Sequence, residues 1–145
     1  MQVHNVRISF PNIFQASAFA EGQTKKFSAT FIMDDDHPQM GELKEAVEKT
    51  AKAKWDKKIP SSLKRPLRDG DEKDLDGFGE GTFFFNASNT KRPTLVNKDR
   101  SPLIEDDGKP YAGCYVNAIV KPWAQDNQYG KRINFSLEGI QFVRD

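Results

Sequence analysis

The chain has almost no cysteine, the residue whose disulfides stabilise many small extracellular proteins. Cys114 is its only cysteine, so no internal disulfide can form, and a disulfide-built scaffold is excluded. No apolar run approaches the roughly 20 residues that a membrane-spanning helix needs. The opening MQVHNVRISF also lacks the basic and apolar regions of a signal peptide. We therefore expect a cytoplasmic protein without a membrane partner.

A net excess of charge is absent as well, because 22 Lys and Arg residues balance 21 Asp and Glu residues. The charges are nevertheless unevenly placed. Residues 52–68 carry seven Lys or Arg against one Asp, residues 69–80 carry six acids against one Lys, and residues 88–100 carry four Lys or Arg against one Asp. Such runs are typical of solvated faces and loops, so a polyanionic partner needs a second signal.

Hydrophobic periodicity predicts strands around a single helix. Apolar and polar side chains alternate in residues 3–10, 26–33, 82–88, 113–123 and 131–143. In the first of these, Phe10 is expected to face the core and Pro11 to end the strand. A chain of 145 residues has the length of one domain, spanning residues 1–145. This pattern favours a mainly β fold, a small Greek-key barrel with one inserted helix, over a parallel α/β sheet.

The helix is predicted from an acidic start and an apolar stripe. Residues 34–38 read as an N-terminal cap with a proline in the first turn. The stripe recurs every four residues at Leu43, Val47, Ala51 and Trp55, which assigns Trp55 to the core. In residues 60–81 the apolar side chains follow neither the helical nor the strand periodicity, and we expect a long charged loop there.

The outward faces of the strands combine aromatic rings, amides and cations. Phe84 is expected to be exposed, because its neighbours Phe83 and Phe85 face the core. The whole outward set is Arg7, Lys26, Phe84, Asn86, Tyr115, Asn117, Lys121, Trp123 and Arg132. Flat rings stack on the bases of unpaired nucleic acid whatever the sequence, while Lys and Arg neutralise phosphates. The surface therefore favours single-stranded nucleic acid, although rings that close a sandwich or lie under the long loop would give the same pattern.

Longer blocks of the sequence resemble a known family. NVRISFPNIF, KFSATFIMDDD, PLRDGDEK, FFFNASNTKRP and YAGCYVNAIVKPWAQDN, in this order, are similar to a bacteriophage family of single-stranded DNA-binding proteins that was long catalogued as a domain of unknown function.

The resemblance implies an oligonucleotide/oligosaccharide-binding (OB) fold, with a five-stranded Greek-key barrel. It also implies DNA binding without sequence preference in phage DNA replication, recombination or repair. The site of action would be the infected bacterial host, with phage or host replication proteins as candidate partners. Four cations near two of the blocks join the candidate interface: Arg65, Arg68, Lys91 and Arg92.

Two other classes of function remain open. A metal-dependent phage nuclease could use the carboxylates of residues 34–36 or 69–76, and a protein-interaction module could use the exposed rings. Residues 69–80 imitate a calcium loop, but Lys73 occupies a ligand position and Asp74 replaces the required glycine. His4 and His37 lack a metal-ligand pattern, and Cys114 lies on an apolar strand face, where thiols are usually inert. We therefore expect no catalysis, cofactor, metal or small-molecule substrate.

Overall fold

The computed structural model describes residues 1–18, 22, 24–70, 81–128 and 130–145. Within them, the helix α1 (Met40–Trp55) follows the second of seven strands. The strands are β1 (Gln2–Ser17), β2 (Lys26–Asp34), β3 (Arg68–Asp69), β4 (Thr82–Asn89), β5 (Thr94–Val96), β6 (Tyr115–Asn127) and β7 (Gly130–Arg144). No helix in the described part of the chain combines the length and the apolar character needed to cross a membrane.

Five of the strands close into a barrel. They run in the order β4, β2, β1, β6 and β7 with antiparallel neighbours, and a parallel pairing between β4 and β7 completes the ring. The short strands β3 and β5 pair with β4 and β7. This confirms the predicted barrel with one inserted helix. Closure also means that the outward side chains point in all directions around the barrel, so they cannot share one flat face.

The core is built by the inward positions of each alternating strand. Phe31, Phe85 and Phe135 meet there, with ring centroids 5.3 and 4.9 Å apart across successive pairs. Burial of each ring contributes about 1.5–3 kcal/mol to folding. The predicted stripe of α1 also packs on the core, with Leu43, Val47 and Ala51 buried and Trp55 partly buried.

The first strand differs from the prediction at Pro11. β1 continues to Ser17, and the register shifts between Ser9 and Asn12, where Phe10 has a φ of 49° and is 53% exposed. A proline lacks the N–H that a strand ladder uses, but a bulge supplies a position where that donor is not required. The expectations that Pro11 ends the strand and that Phe10 faces the core were therefore wrong.

The helix also begins later than predicted. Asp34 still belongs to β2, and α1 starts only at Met40. The His37 side chain holds the intervening turn, because Nε2 donates to the His4 carbonyl (2.7 Å) and Nδ1 accepts from the Gln39 N–H (3.1 Å). Residues 34–38 therefore form the connection to the helix and not its first turn.

Candidate nucleic-acid interface

A groove on the outer wall of the barrel collects several of the predicted cations. Its volume is about 570 Å³. The charged and amide residues that line it are Lys64, Arg65, Arg68, Asp69, Asn86, Arg132 and Asn134. Among the described residues four cations against one acid line this groove, and we call it the cationic groove.

The segment before β3 is hydrogen-bonded to β7. These bonds hold the two sides of the groove next to each other. Leu63 is buried in the core, and the neighbouring Lys64 carbonyl accepts from the Ile133 N–H (3.0 Å). Lys64 also forms a parallel bridge with Arg132. Because Ile133 points inward, the flanking Arg132 and Asn134 point outward into the groove.

Two amides lie between these cations. The Thr30 hydroxyl donates to Oδ1 of Asn86 (2.5 Å), and Nδ2 of Asn134 donates to Oε1 of Gln125 (2.9 Å). These bonds fix the orientation of both amides. Each retains one end, Nδ2 of Asn86 and Oδ1 of Asn134, for which the described residues supply no hydrogen-bond partner.

Trp123 stands beside the groove on β6. It pairs directly with Asn134 on β7 and is 43% exposed, and the exposed Lys121 lies two residues before it on the same outward face. The predicted ring and cation on this strand are therefore both accessible next to the groove.

Arg65 is engaged by a carboxylate from the helix. Its guanidinium pairs with Glu48 of α1, and this pair lowers the pKa of the Glu48 carboxyl and raises that of Arg65 through a direct hydrogen bond. Of the ion pairs between described residues, this one links α1 to the groove.

Phe84 is not the exposed ring that the sequence predicted. It points away from the core as expected, but its side chain is fully buried, and the Arg68 guanidinium lies 5.3 Å from its ring centroid. The error arose because strand alternation gives the direction of a side chain but not what covers it. Here β3 pairs with the outer edge of β4 and brings Arg68 directly opposite Phe84.

Tyr115 and Asn117 lie at the other end of β6. Trp123 lies eight positions after Tyr115, which corresponds to about 26 Å of strand. The guanidinium of Arg144 lies 3.9 Å from the Tyr115 ring centroid and that of Arg7 lies 6.0 Å from it. Asn117 uses both ends of its amide within the protein, because Oδ1 accepts from the Asn5 N–H (3.0 Å) and Nδ2 donates to Gln141 (3.1 Å).

The remaining predicted cations lie outside the cationic groove. Lys26 is exposed at the start of β2, opposite Ser17. Lys91 is exposed in a turn whose Asn89 donates from Nδ2 to Ser136 on β7 (3.2 Å). Arg92 lies 5.5 Å from the Phe27 ring and lines a different cavity.

The acidic segments were the basis of the nuclease alternative. Asp34, Asp35 and Asp36 are exposed, and no group of three His, Cys, Asp or Glu side chains among the described residues could hold a metal ion. Residues 71–80, with most of the second acidic segment and the calcium-loop imitation, lie outside the described residues. Cys114 is buried as expected, and burial raises the pKa of its thiol to about 11.

The structure brings into these sites three residues outside the listed candidate interface, of which Lys64 belongs to the basic run that we expected to follow the phosphate backbone. Lys64 and Asn134 line the cationic groove, and Arg144 covers Tyr115. Asn134 could have been selected, because it alternates with Arg132 on a strand whose other face is apolar. Arg144 could not, since its contact depends on the register between β6 and β7.

A five-stranded barrel with one helix and a cationic groove on its wall defines a protein of the OB class, a class whose members bind oligonucleotides or oligosaccharides on the barrel surface. The family described as Enterobacter phage Enc34, ssDNA-binding protein, matches residues 1–145, and the chain belongs to this family. The predicted family is thereby confirmed.

Individual relatives agree with this assignment. Protein p50 of Acyrthosiphon pisum secondary endosymbiont phage 1 is 36% identical over 155 residues, which cover 100% of this chain and 83% of the relative. The structure of the single-stranded DNA-binding protein from bacteriophage Enc34 in complex with ssDNA has a TM-score of 0.86 and 29% identity, covering 99% of this chain and 85% of that one. The single-stranded DNA-binding protein gp2.5 of bacteriophage T7 has a TM-score of 0.72 at 10% identity, with the same coverage, and shares the fold.

Proposed function

We propose that this protein binds single-stranded DNA without sequence preference, in phage DNA replication, recombination or repair, and does not catalyse a reaction on the strand. The observation that carries the proposal is the cationic groove with Trp123 at its side. The similarity to a phage protein solved in complex with ssDNA supports the same class of ligand.

The groove and the ring supply the two parts of such an interaction. Arg65, Arg68 and Arg132 can pair with successive phosphates, because a guanidinium matches the geometry of phosphate oxygens. Trp123 can stack on a base, which contributes roughly 1–3 kcal/mol and does not depend on which base it is. Duplex DNA buries the faces of its bases in the helical stack, so it could use the cations but not the ring.

Fluorescence anisotropy with a labelled oligo-dT strand and a duplex of equal length, each at two salt concentrations, tests this proposal. We expect the single strand to bind more tightly, and both affinities to fall as salt rises because counterions are released from the phosphates. Arg132→Gln should weaken binding of the single strand. Lys58→Gln is the matched control, because Lys58 is an exposed cation that does not line the groove.

Equal affinity for single strand and duplex would contradict the proposal, as would equal losses in Arg132→Gln and its control. The nuclease alternative has a separate test, in which a labelled single strand is incubated with the protein and Mg²⁺ or Mn²⁺. We expect the strand to remain intact. If the strand is cleaved and Asp34→Asn abolishes the cleavage, the proposal of binding without catalysis is wrong and the nuclease alternative is supported.

A further inference from the structure

The register of the strands places six residues in one transverse row on the outer wall of the barrel. Each residue is paired with the next across neighbouring strands, and the arginine row, as we call it, runs Arg68, Phe84, Ile32, Arg7, Tyr115 and Arg144. It begins in the cationic groove, which Arg68 lines. Neighbouring strands are about 4.8 Å apart, so the three strand spacings from Arg68 to Arg7 amount to roughly 14 Å.

The middle of the row is apolar and the far end is cationic. Ile32 and Phe84 are buried although they lie outside the core cluster. At the far end, the guanidinium of Arg144 lies over the Tyr115 ring at 3.9 Å, and that of Arg7 lies at 6.0 Å. A base cannot stack on the ring face that Arg144 covers. The ring therefore holds guanidinium groups in place through cation–π attraction.

Neither guanidinium group has an acceptor among the described residues. Neither Arg7 nor Arg144 forms a side-chain hydrogen bond or an ion pair with the described residues, and Nε of Arg7 is buried without a partner. A buried N–H that has given up water and gained no acceptor is unfavourable, and Nε of Arg7 could reach a phosphate oxygen only if the side chain moved. The exposed guanidinium of Arg144 can donate to a phosphate oxygen without such a movement. A cavity of about 300 Å³ lies against both arginines and Tyr115, large enough to admit a phosphodiester group.

Other charged groups face the same cavity. Asp34 and Asp36 line it, but neither forms an ion pair with Arg7 or Arg144. His37 also lines it, and both of its ring nitrogens are already hydrogen-bonded within the protein. Among the described residues the two carboxylates offset the charge of the two guanidinium groups, so a phosphate would be held by direct contact with the guanidinium groups and not by a net positive potential.

We infer that Arg7 and Arg144 bind a backbone phosphate of the DNA strand at a second site, in which Tyr115 is a positioning residue for the guanidinium groups and not a platform for a base. The inference rests on the proposed function and extends it, because a strand bound in the cationic groove could cross the wall above the buried Phe84 and Ile32 and reach Arg7 and Arg144. An acidic peptide is the competing occupant. DNA is favoured because Arg68 joins the row to the groove.

The test uses the full chain, oligo-dT strands of two lengths and a series of salt concentrations. The short strand is chosen to fill only the cationic groove, and the long one to reach beyond it. Arg144→Gln should weaken binding of the long strand several-fold at low salt and flatten its plot of log affinity against log salt by about 0.7, the value for one lost phosphate contact. Binding of the short strand should not change.

Variants at Tyr115 separate the positioning role from stacking. Tyr115→Phe keeps a ring under Arg144 and should bind as wild type, whereas Tyr115→Leu should flatten the salt plot as Arg144→Gln does. Lys44→Gln is the matched control, because Lys44 lies 5.2 Å from the Phe83 ring but outside the arginine row. It should leave the slope unchanged.

Several outcomes would overturn the inference. If Arg132→Gln weakens binding but Arg144→Gln changes neither affinity nor slope, the second site is wrong and the proposed function stands. If Arg144→Gln strengthens binding while Tyr115→Leu weakens it at constant slope, the ring is a platform for a base. If Arg144→Gln abolishes binding of a poly-glutamate peptide and leaves DNA binding intact, the site takes acidic peptides. Failure of the wild-type protein to bind single strands would instead remove the proposed function itself.

Discussion

The guanidinium of Arg65 is paired with both carboxylate oxygens of Glu48, from Nε to Oε1 and from an Nη to Oε2 at 3.2 Å. Both side chains are more than two-fifths exposed, so water and salt weaken the pair. Because Arg65 lines the cationic groove, a phosphate that approaches it must compete with Glu48. The helix therefore holds an internal competitor for the proposed ligand.

Glu48→Gln should strengthen binding of single-stranded DNA by up to about fivefold, because an exposed ion pair contributes roughly 0.2–1 kcal/mol. Anisotropy titrations at fixed salt measure the change. Glu45→Gln is the control. Glu45 is exposed on the same helix and does not pair with Arg65, so its substitution removes the same charge and leaves the Arg65 pair intact. Equal gains in the two variants would show that net charge, and not the release of Arg65, is responsible.

The same pair predicts how stability depends on pH. Arg65 lowers the pKa of Glu48 below its ordinary value of 4.5, so the folded state is stabilised at pH values above 4.5. This contribution is lost as the pH falls through the lowered pKa and Glu48 becomes protonated. Urea unfolding of the wild type and Glu48→Gln should therefore differ slightly at pH 7 and converge in acid. A difference that grows toward low pH would contradict this assignment.

Trp123 and Lys121 should contribute to binding in different ways, although they lie on one strand. Trp123→Ala should weaken binding by roughly 1–3 kcal/mol with little change in salt dependence, because a stacked ring releases no counterion. Lys121→Ala should flatten the log–log salt plot by about 0.7 if it contacts a phosphate. Salt series on the two variants in parallel measure both effects. Identical slopes would mean that the cation or the ring is misassigned, and circular dichroism controls for unfolding.

The sequence predicts the barrel well because alternation is a local property. Val116, Ala118 and Val120 face the core because each is two residues from the next, and the outward direction of Trp123 follows from the same rule. The stripe of α1 is equally local. These features required no knowledge of which strands are neighbours.

The arrangement of the site depended on information that alternation does not contain. Pairing of β3 with β4 buried Phe84, and a bulge allowed β1 to pass Pro11. The contact between Arg144 and Tyr115 depends on two register shifts between β6 and β7. Such shifts arise from tertiary packing, so the outward residues could be predicted while their grouping into a groove and a row could not.

Gly139 marks a place where packing leaves little space for a side chain. A Cβ there would lie 3.2 Å from the Thr94 carbonyl oxygen and 3.3 Å from Cδ1 of Ile119. Because β5 must shift to admit a methyl group, Gly139→Ala should destabilise the fold by about 1–3 kcal/mol. Urea unfolding measures the loss, with Gly41→Ala as a control at an exposed helical position that has open space. Unchanged stability in Gly139→Ala would show that β5 adapts freely.

The buried thiol of Cys114 can report whether DNA binding protects the barrel. Burial raises the pKa of this thiol from 9.0 to about 11. Between pH 9 and pH 11 the thiol therefore ionises in the unfolded state but not in the folded state, so the folded state loses stability as the pH rises through this range. At pH 8 the folded protein should react with iodoacetamide only when it opens, because the thiolate is the reactive form. Oligo-dT at about 100 times its dissociation constant should slow this labelling roughly 100-fold if opening destroys the DNA site. Rapid labelling of the native protein would show that Cys114 is accessible, and labelling that DNA does not slow would place the opening segment outside the proposed interface.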